Sequence, residues 1–314
     1  MITGIFAGIT WALETIVIAV ALSLAPFVSS SEGVFLAPFV STFLHDTFSA
    51  AYMWIFTGLR KETKTIFKLC KTSDFKWIVL ASAIGGPIGM TGYVLAVNYM
   101  GSSIGAIASA IYPAIGSVLA YLFLKEKIKW YQWVFLMFTL VGVLGISYSP
   151  ELNIKNFWVG LLGAFMCAFG WGTEGVILSK CLKNTKIKSE YALTLRQTVS
   201  ALIYGGVIIT VLGGWNFVTS LFQPDNVSVF FVIMLAALFA TISYCFYYKT
   251  IEKKGAAKAM GLNITYTAWA MFFSIILLRD YSLLNPATLF FGFLVVVCGI
   301  LSGTDIKSLI GKHK

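Results

Sequence analysis

The sequence predicts an all-α polytopic membrane protein: ten transmembrane helices in a 5+5 inverted-topology repeat, with both termini cytoplasmic. Three observations predict it. Of 314 residues, 58% are hydrophobic and only 11% charged, where an ordinary soluble domain carries about 25% charged residues; mean hydropathy is +0.85. The apolar residues gather into ten runs, each suited to a hydrocarbon core about 30 Å thick, which takes about 20 helical residues to cross. The basic residues fall almost entirely between alternate runs.

In chain order the runs cover 2–24, 35–58, 77–99, 102–124, 130–149, 156–179, 189–213, 227–248, 256–278 and 285–304. The first reads as a spanning helix and not as a cleaved leader, because no Lys or Arg precedes Arg60 and the run holds Glu14. Little more than Gly101-Ser102 parts the third run from the fourth, so nine helices is the competing count. Segments 60–76, 125–129, 180–188 and 249–258 carry six, three, four and four Lys/Arg. With Lys307, Lys312 and Lys314 of the tail, 20 of the 23 basic residues lie on one side. Only Lys155 and Arg279 fall opposite, and Arg196 lies inside the seventh run. Cytoplasmic loops hold the excess of Lys and Arg, so this sorting supports ten crossings and a cytoplasmic amino terminus. The net charge of +10 is accounted for by those loops and does not indicate nucleic acid.

Residues 1–150 and 151–314 also align with each other as two five-helix repeats, the second ending in a short basic tail. Trp11 and Glu14 fall on Trp171 and Glu174, and His45-Asp46-Thr47 on Arg196-Gln197-Thr198. Tyr93, Gly101 and Tyr112 fall on Tyr247, Gly255 and Tyr266, and Leu124-Lys125-Glu126 on Leu278-Arg279-Asp280. Five helices is an odd number, so the second repeat is inverted. Inverted repeats build secondary transporters, whose substrate lies near the bilayer midplane. The chain has no Walker motif, which argues against a primary pump. Its five cysteines (Cys70, Cys167, Cys181, Cys245, Cys298) form no CxxC pair and have only His45 and His313 beside them. No metal, cofactor or disulfide framework is expected.

Ionisable groups at membrane depth are functional candidates by default. Glu14 and Glu174 each follow a tryptophan by three residues, on one helix face. Glu174 either pairs with Lys180 at the interface or neutralises a bound cation; Glu14 either pairs internally with Arg196 or His45 or shares that role. His45, Asp46 and Arg196 read either as an Asp46–Arg196 bridge between the halves or as a proton relay. Trp77, Trp130, Trp133 and Trp158 suit the interfacial belts. Trp11, Trp171, Tyr112, Tyr266 and Trp269 lie far from helix ends, and Asn263 extends the face of Tyr266 and Trp269. Ring faces with a carboxylate hold quaternary ammonium groups by cation–π attraction; ordinary core packing is the alternative. Gly85-Gly86-Pro87-Ile88-Gly89 and the run Gly101 to Gly105, with Pro113 beyond, signal close helix approach or a hinge.

These features resemble the EamA branch of the drug/metabolite transporter superfamily. Within it, several runs are similar to the LicB-type choline permeases of bacteria: His45-Asp46, Gly86-Pro87-Ile88-Gly89-Met90, Ser109-Ala110-Ile111-Tyr112-Pro113, Trp171-Gly172-Thr173-Glu174, Arg196-Gln197, Ile242-Ser243-Tyr244, Tyr247-Tyr248 and Gly261-Leu262-Asn263. The resemblance implies import of choline across the bacterial cytoplasmic membrane by alternating access, with proton coupling and the cation in an aromatic cage. It carries over to Trp11, Tyr93, Trp171, Glu174 and Tyr247, with Tyr266 and Trp269 as further walls. The chain departs from the pattern at Ala12, where a glycine is usual, and at Glu14, which the pattern lacks. The competing function is export of amino acids or cationic drugs, for which Arg196 is the one candidate to hold a substrate carboxylate. An enzyme would need a nucleophile–base pair or metal cluster at depth; His45-Asp46 is the only hint, so none is expected. The expected partners are choline, protons and the lipid bilayer, and the sequence leaves a homodimer open.

Overall fold

Local signals set where the helices begin and end. The computed structural model describes residues 1–100, 107, 109–147, 154–183 and 187–306, and every regular element among them is helical. The first part of the chain forms α1 (Ile2–Leu22), α2 (Ser31–Leu59), the short α3 (Thr63–Leu69) and α4 (Ser73–Ala83). A π-helical turn, Ile84–Ile88, joins α4 to α5 (Gly89–Met100), and α6 (Tyr112–Leu124) and α7 (Trp130–Ser147) follow. The second part forms α8 (Phe157–Leu182), α9 (Ser189–Ile203) with a π turn at Tyr204–Ile209, and the short α10 (Trp215–Ser220). Then come α11 (Val227–Lys254), α12 (Ala256–Asn263), α13 (Tyr266–Leu277) and α14 (Pro286–Ser302).

Side-chain caps satisfy the first free amides of three long helices. Ser30 Oγ accepts from the Gly33 amide at 2.9 Å, Asn156 Oδ1 from Val159 at 3.2 Å and Asn285 Oδ1 from Thr288 at 3.0 Å. Left-handed residues stop others: Lys61 (φ 58°), Lys125 (φ 53°), Arg279 (φ 56°) and Gly213 (φ 65°). Gly255 (φ 87°) turns the chain between α11 and α12. The expected kink at Gly85-Gly86-Pro87 is the first π turn. Proline has no amide to donate, so the α ladder cannot run through it and widens locally.

Among the described residues, seven helices are long and apolar enough to cross a membrane: Ile2–Leu22, Ser73–Val97, Trp130–Ser147, Phe157–Leu182, Ser189–Ile209, Val227–Lys254 and Ala256–Leu277. Tyr112–Leu124 and Pro286–Ser302 are shorter apolar helices. Ser31–Leu59 has 29 residues but carries Glu32, His45 and Asp46. The protein is therefore a polytopic membrane protein. Several expected runs differ in detail: α2 and α4 begin four residues early, and the run 256–278 is broken at Ile264-Thr265. The short helices α3 and α10 lie in segments read as loops. Gly101 to Gly105 lies outside the described residues.

The first-part helices lie mainly on second-part helices. α1 packs along α11 and α13, α2 against α9 and α11, α5 and α6 against α8, and α7 against α14. Small residues allow the closest approach. A Cβ added at Gly92 would sit 2.6 Å from the Gly163 carbonyl oxygen, and one at Gly163 2.6 Å from that of Gly92. Along α2, Leu36, Val40 and Leu44 belong to one apolar cluster and Met53 to another; along α9, Leu193 and Leu195 belong to the second cluster and Tyr204 to the first. Between the clusters lie His45, Asp46, Ser49, Arg196, Gln197 and Ser200, all buried. A polar layer thus crosses the middle of the bundle with apolar packing on either side.

Beyond the spans, acidic groups tie helix ends together. Glu126 accepts from the Ala256 and Ala257 amides at 3.0 and 3.1 Å, capping α12, and from Ser179 Oγ at 3.2 Å. Asp305 meets Lys129 at 2.9 Å and Lys258 at 2.8 Å. Hydrogen bonds from the two ammonium groups hold its carboxyl down at about 2.

Candidate functional site

A line of charged side chains runs through the polar layer. Glu14 of α1 lies 3.8 Å from His45 Nε2, and His45 Nδ1 lies 3.0 Å from Asp46 Oδ1. The other Asp46 oxygen accepts from Ser200 Oγ at 2.6 Å and lies 3.6 Å from Arg196 Nη1. Arg196 Nε donates to Glu174 Oε1 at 2.5 Å, and its Nη1 donates to Gln197 Oε1 at 2.5 Å. Gln197 Nε2 and Thr241 Oγ1 both reach Ser49 Oγ at 2.8 Å. Three carboxylates therefore share one guanidinium and one imidazole, all largely buried, with Glu174 the most exposed at 12% of its side chain. Buried charges are tolerated only when paired in this way.

Aromatic rings surround both ends of this line. Trp171, one turn before Glu174 on α8, stacks on Tyr93 at 6.1 Å between centroids and meets Tyr112 edge-on, also at 6.1 Å. Its indole N–H donates to the Gly85 carbonyl at 2.9 Å, within the first π turn. That hydrogen bond fixes the ring face. On the far side, Trp11 meets Tyr244 edge-on at 5.0 Å, and the Arg196 guanidinium lies 5.5 Å over the Tyr244 ring. Tyr247 shares an apolar cluster with Tyr112 and Trp171. A Cβ added at Gly175, next to Glu174, would lie 3.4 Å from the Tyr247 hydroxyl. Gly85 has no room for a side chain either, since a Cβ there would overlap the Glu174 carboxylate.

The break between α12 and α13 supplies the remaining wall. Asn263 ends α12 and its amide donates to the Tyr112 hydroxyl at 3.0 Å, which leaves Asn263 Oδ1 buried with no donor. Tyr266 opens α13 and hydrogen-bonds Ser109. Discontinuous helices of this kind form the binding sites of many transporters, because freed backbone at depth must line a cavity or be buried in protein.

Of the residues singled out from sequence, Trp171, Tyr93, Glu174, Tyr247 and Asn263 come together around Tyr112. Glu14, His45, Asp46 and Arg196 form the adjoining charged line, with Trp11 beside it. Trp269 stands apart: its ring contacts Phe272 at 6.4 Å and its buried indole N–H has no partner. The expected choices between pairings resolve as follows. Glu174 pairs with Arg196 and not with Lys180, whose ammonium lies 4.3 Å over Trp77. Asp46 of α2 and Arg196 of α9 lie 3.6 Å apart, and Glu14 meets His45 of its two candidate partners. Tyr244, which underlies Arg196, stands in the Ile242-Ser243-Tyr244 run but had no expected role in the site. The spacing of Tyr244, Tyr247 and Tyr248, which puts three rings on one helix face, was the available signal. Among the described residues, no three His, Cys, Asp or Glu side chains are grouped to hold a metal ion.

Residues 1–148 match the sequence model of the EamA-like transporter family. Protein LicB of Haemophilus influenzae is 32% identical over 213 residues, 67% of this chain and 69% of that protein. The riboflavin transporter ImpX of Fusobacterium nucleatum is 28% identical over 197 residues, 57% of this chain and 64% of its own. The S-adenosylmethionine uptake transporter of Rickettsia bellii is 21% identical over 288 residues, 89% and 94% of the two chains. A crystal structure 14% identical in sequence superposes with a TM-score of 0.71 over 98% of this chain and 97% of its own, a likeness of fold.

Proposed function

Because the chain belongs to the EamA-like transporter family, we propose that it is a secondary transporter that imports choline or a close quaternary ammonium compound. Alternating access takes place about the site of Trp171 and Glu174, in a bacterial cytoplasmic membrane. The single observation that carries this reading is a largely buried carboxylate, Glu174, one turn from Trp171, which packs with Tyr93, Tyr112 and Tyr247, and joined through Arg196 to the Tyr244 ring. A quaternary ammonium offers no hydrogen bond, so ring faces and one opposite charge are what can select it. Choline also has one hydroxyl, and the donorless Asn263 Oδ1 suits it. A relative named for S-adenosylmethionine uptake favours import over export.

The architecture proposed with it is ten crossings in two inverted repeats, 1–150 and 151–314, with both termini cytoplasmic. Equivalent stops support the repeat. Lys125 and Arg279, aligned in sequence, both adopt left-handed backbone, and so do Lys61 and Gly213 at the ends of the aligned second and seventh spans. Coupling to protons is assigned to Glu14, His45 and Asp46, whose histidine titrates in the physiological range when unperturbed.

Equilibrium binding of choline to the purified protein tests the site. Saturable binding that weakens by about tenfold or more in Glu174→Gln is expected, since the carboxylate is the counter-charge for a desolvated cation. Equal affinity in the variant would reject the assignment.

A further inference from the structure

Building on that reading, we propose that Arg196 is the resident cation of the empty carrier: it occupies the substrate's electrostatic place at Glu174 and yields it, moving to Asp46, when substrate arrives. Failure of the choline reading and failure of this role give different results in the test below.

Arg196 already makes the contacts that a bound ammonium would make. Its Nε meets Glu174 Oε1 at 2.5 Å and its guanidinium lies 5.5 Å over the Tyr244 ring, so it has the same pair of attractions, carboxylate and ring face. Among the described residues it is the only buried lysine or arginine. Among those residues, no other buried side chain of permanent positive charge stands ready to neutralise Glu174 when the site is vacant. A second seat is at hand. Asp46 Oδ2 lies 3.6 Å from Nη1, longer than a hydrogen bond and short enough to attract. Asp46 keeps His45 and Ser200 as partners in either position. The guanidinium needs only to exchange its hydrogen bond with Glu174 for one with Asp46, with no proton transferred and no covalent bond broken.

This role solves a problem that the site creates. A lone carboxylate at membrane depth opposes any movement that would carry it, uncompensated, through a closed apolar state. Loaded, the carrier has the substrate's charge to balance Glu174. Empty, it has Arg196. The arginine therefore belongs to the return step of the cycle. It acts through Glu174 and is a positioning residue.

Net uptake requires the empty carrier to return, whereas exchange of external labelled choline for internal unlabelled choline does not. Both are measured with full-length protein in proteoliposomes under an inside-negative potential. In Arg196→Gln the ratio of net uptake to exchange is expected to fall by about tenfold or more, as expected for an uncompensated buried carboxylate. Arg196→Lys, which keeps the charge, restores part of the ratio. The double variant Glu174→Gln/Arg196→Gln has no charge left at position 174 to compensate, and Asp46 keeps His45 and Ser200, so its ratio recovers towards wild type while choline binds more weakly. A parallel loss of both modes in Arg196→Gln, or a ratio that stays low in the double variant, overturns the proposal and leaves choline transport standing. If wild-type protein moves choline in neither mode, the substrate reading falls and this role falls with it.

Discussion

At the scale of single residues, the site depends on how Trp171 is held. Its stacking on Tyr93 and its hydrogen bond to Gly85 fix one ring face. Trp171→Ala removes a cation–π partner and is expected to weaken choline binding by about 1–2 kcal/mol. Trp171→Phe keeps a ring but loses the Gly85 hydrogen bond, a smaller loss of about 1 kcal/mol or less. Titration calorimetry distinguishes the two, and equal losses would mean that the tryptophan only packs. Trp171 and Glu174 were legible in the sequence because polar and aromatic groups stand out in an apolar run. The Glu174–Arg196 pair was not. Lys180 is nearer in sequence, whereas the true partner comes from another helix, and only packing of α8 against α9 brings it within reach.

At the scale of elements, hydropathy and basic loops made the spans legible, because lipid imposes one length and one polarity on each of them. The kink at Gly85-Gly86-Pro87 was also legible, through its proline. The break at Ile264-Thr265 and the π turn at Tyr204–Ile209 were not, since neither contains a proline or marks a change in hydropathy. Close approach of α5 and α8 rests on Gly92 and Gly163 facing each other. Because these two helices carry Tyr93 and Trp171, their separation sets the stacking distance in the site. Gly163→Leu is expected to destabilise the protein by about 1–3 kcal/mol through overpacking. It should also lower choline affinity, read by thermal unfolding with and without choline. An unchanged melting temperature would show that the contact is slack.

At the scale of the whole molecule, the polar layer lies between two apolar clusters, and helices of residues 1–147 pack mainly on helices of residues 154–306. On the proposed reading, a substrate bound there would touch helices from both parts of the chain, which is the requirement for coupling occupancy to alternating access. An inside-negative potential favours entry of a monovalent cation by about 2.3 kcal/mol per 100 mV. The central claim is therefore tested most directly by labelled choline uptake into proteoliposomes with voltage and pH gradients imposed separately. Saturable uptake driven by an inside-negative potential and raised further by an inward proton gradient is the predicted result. Uptake indifferent to both gradients, or inhibited by amino acids and not by other quaternary amines, would contradict the account.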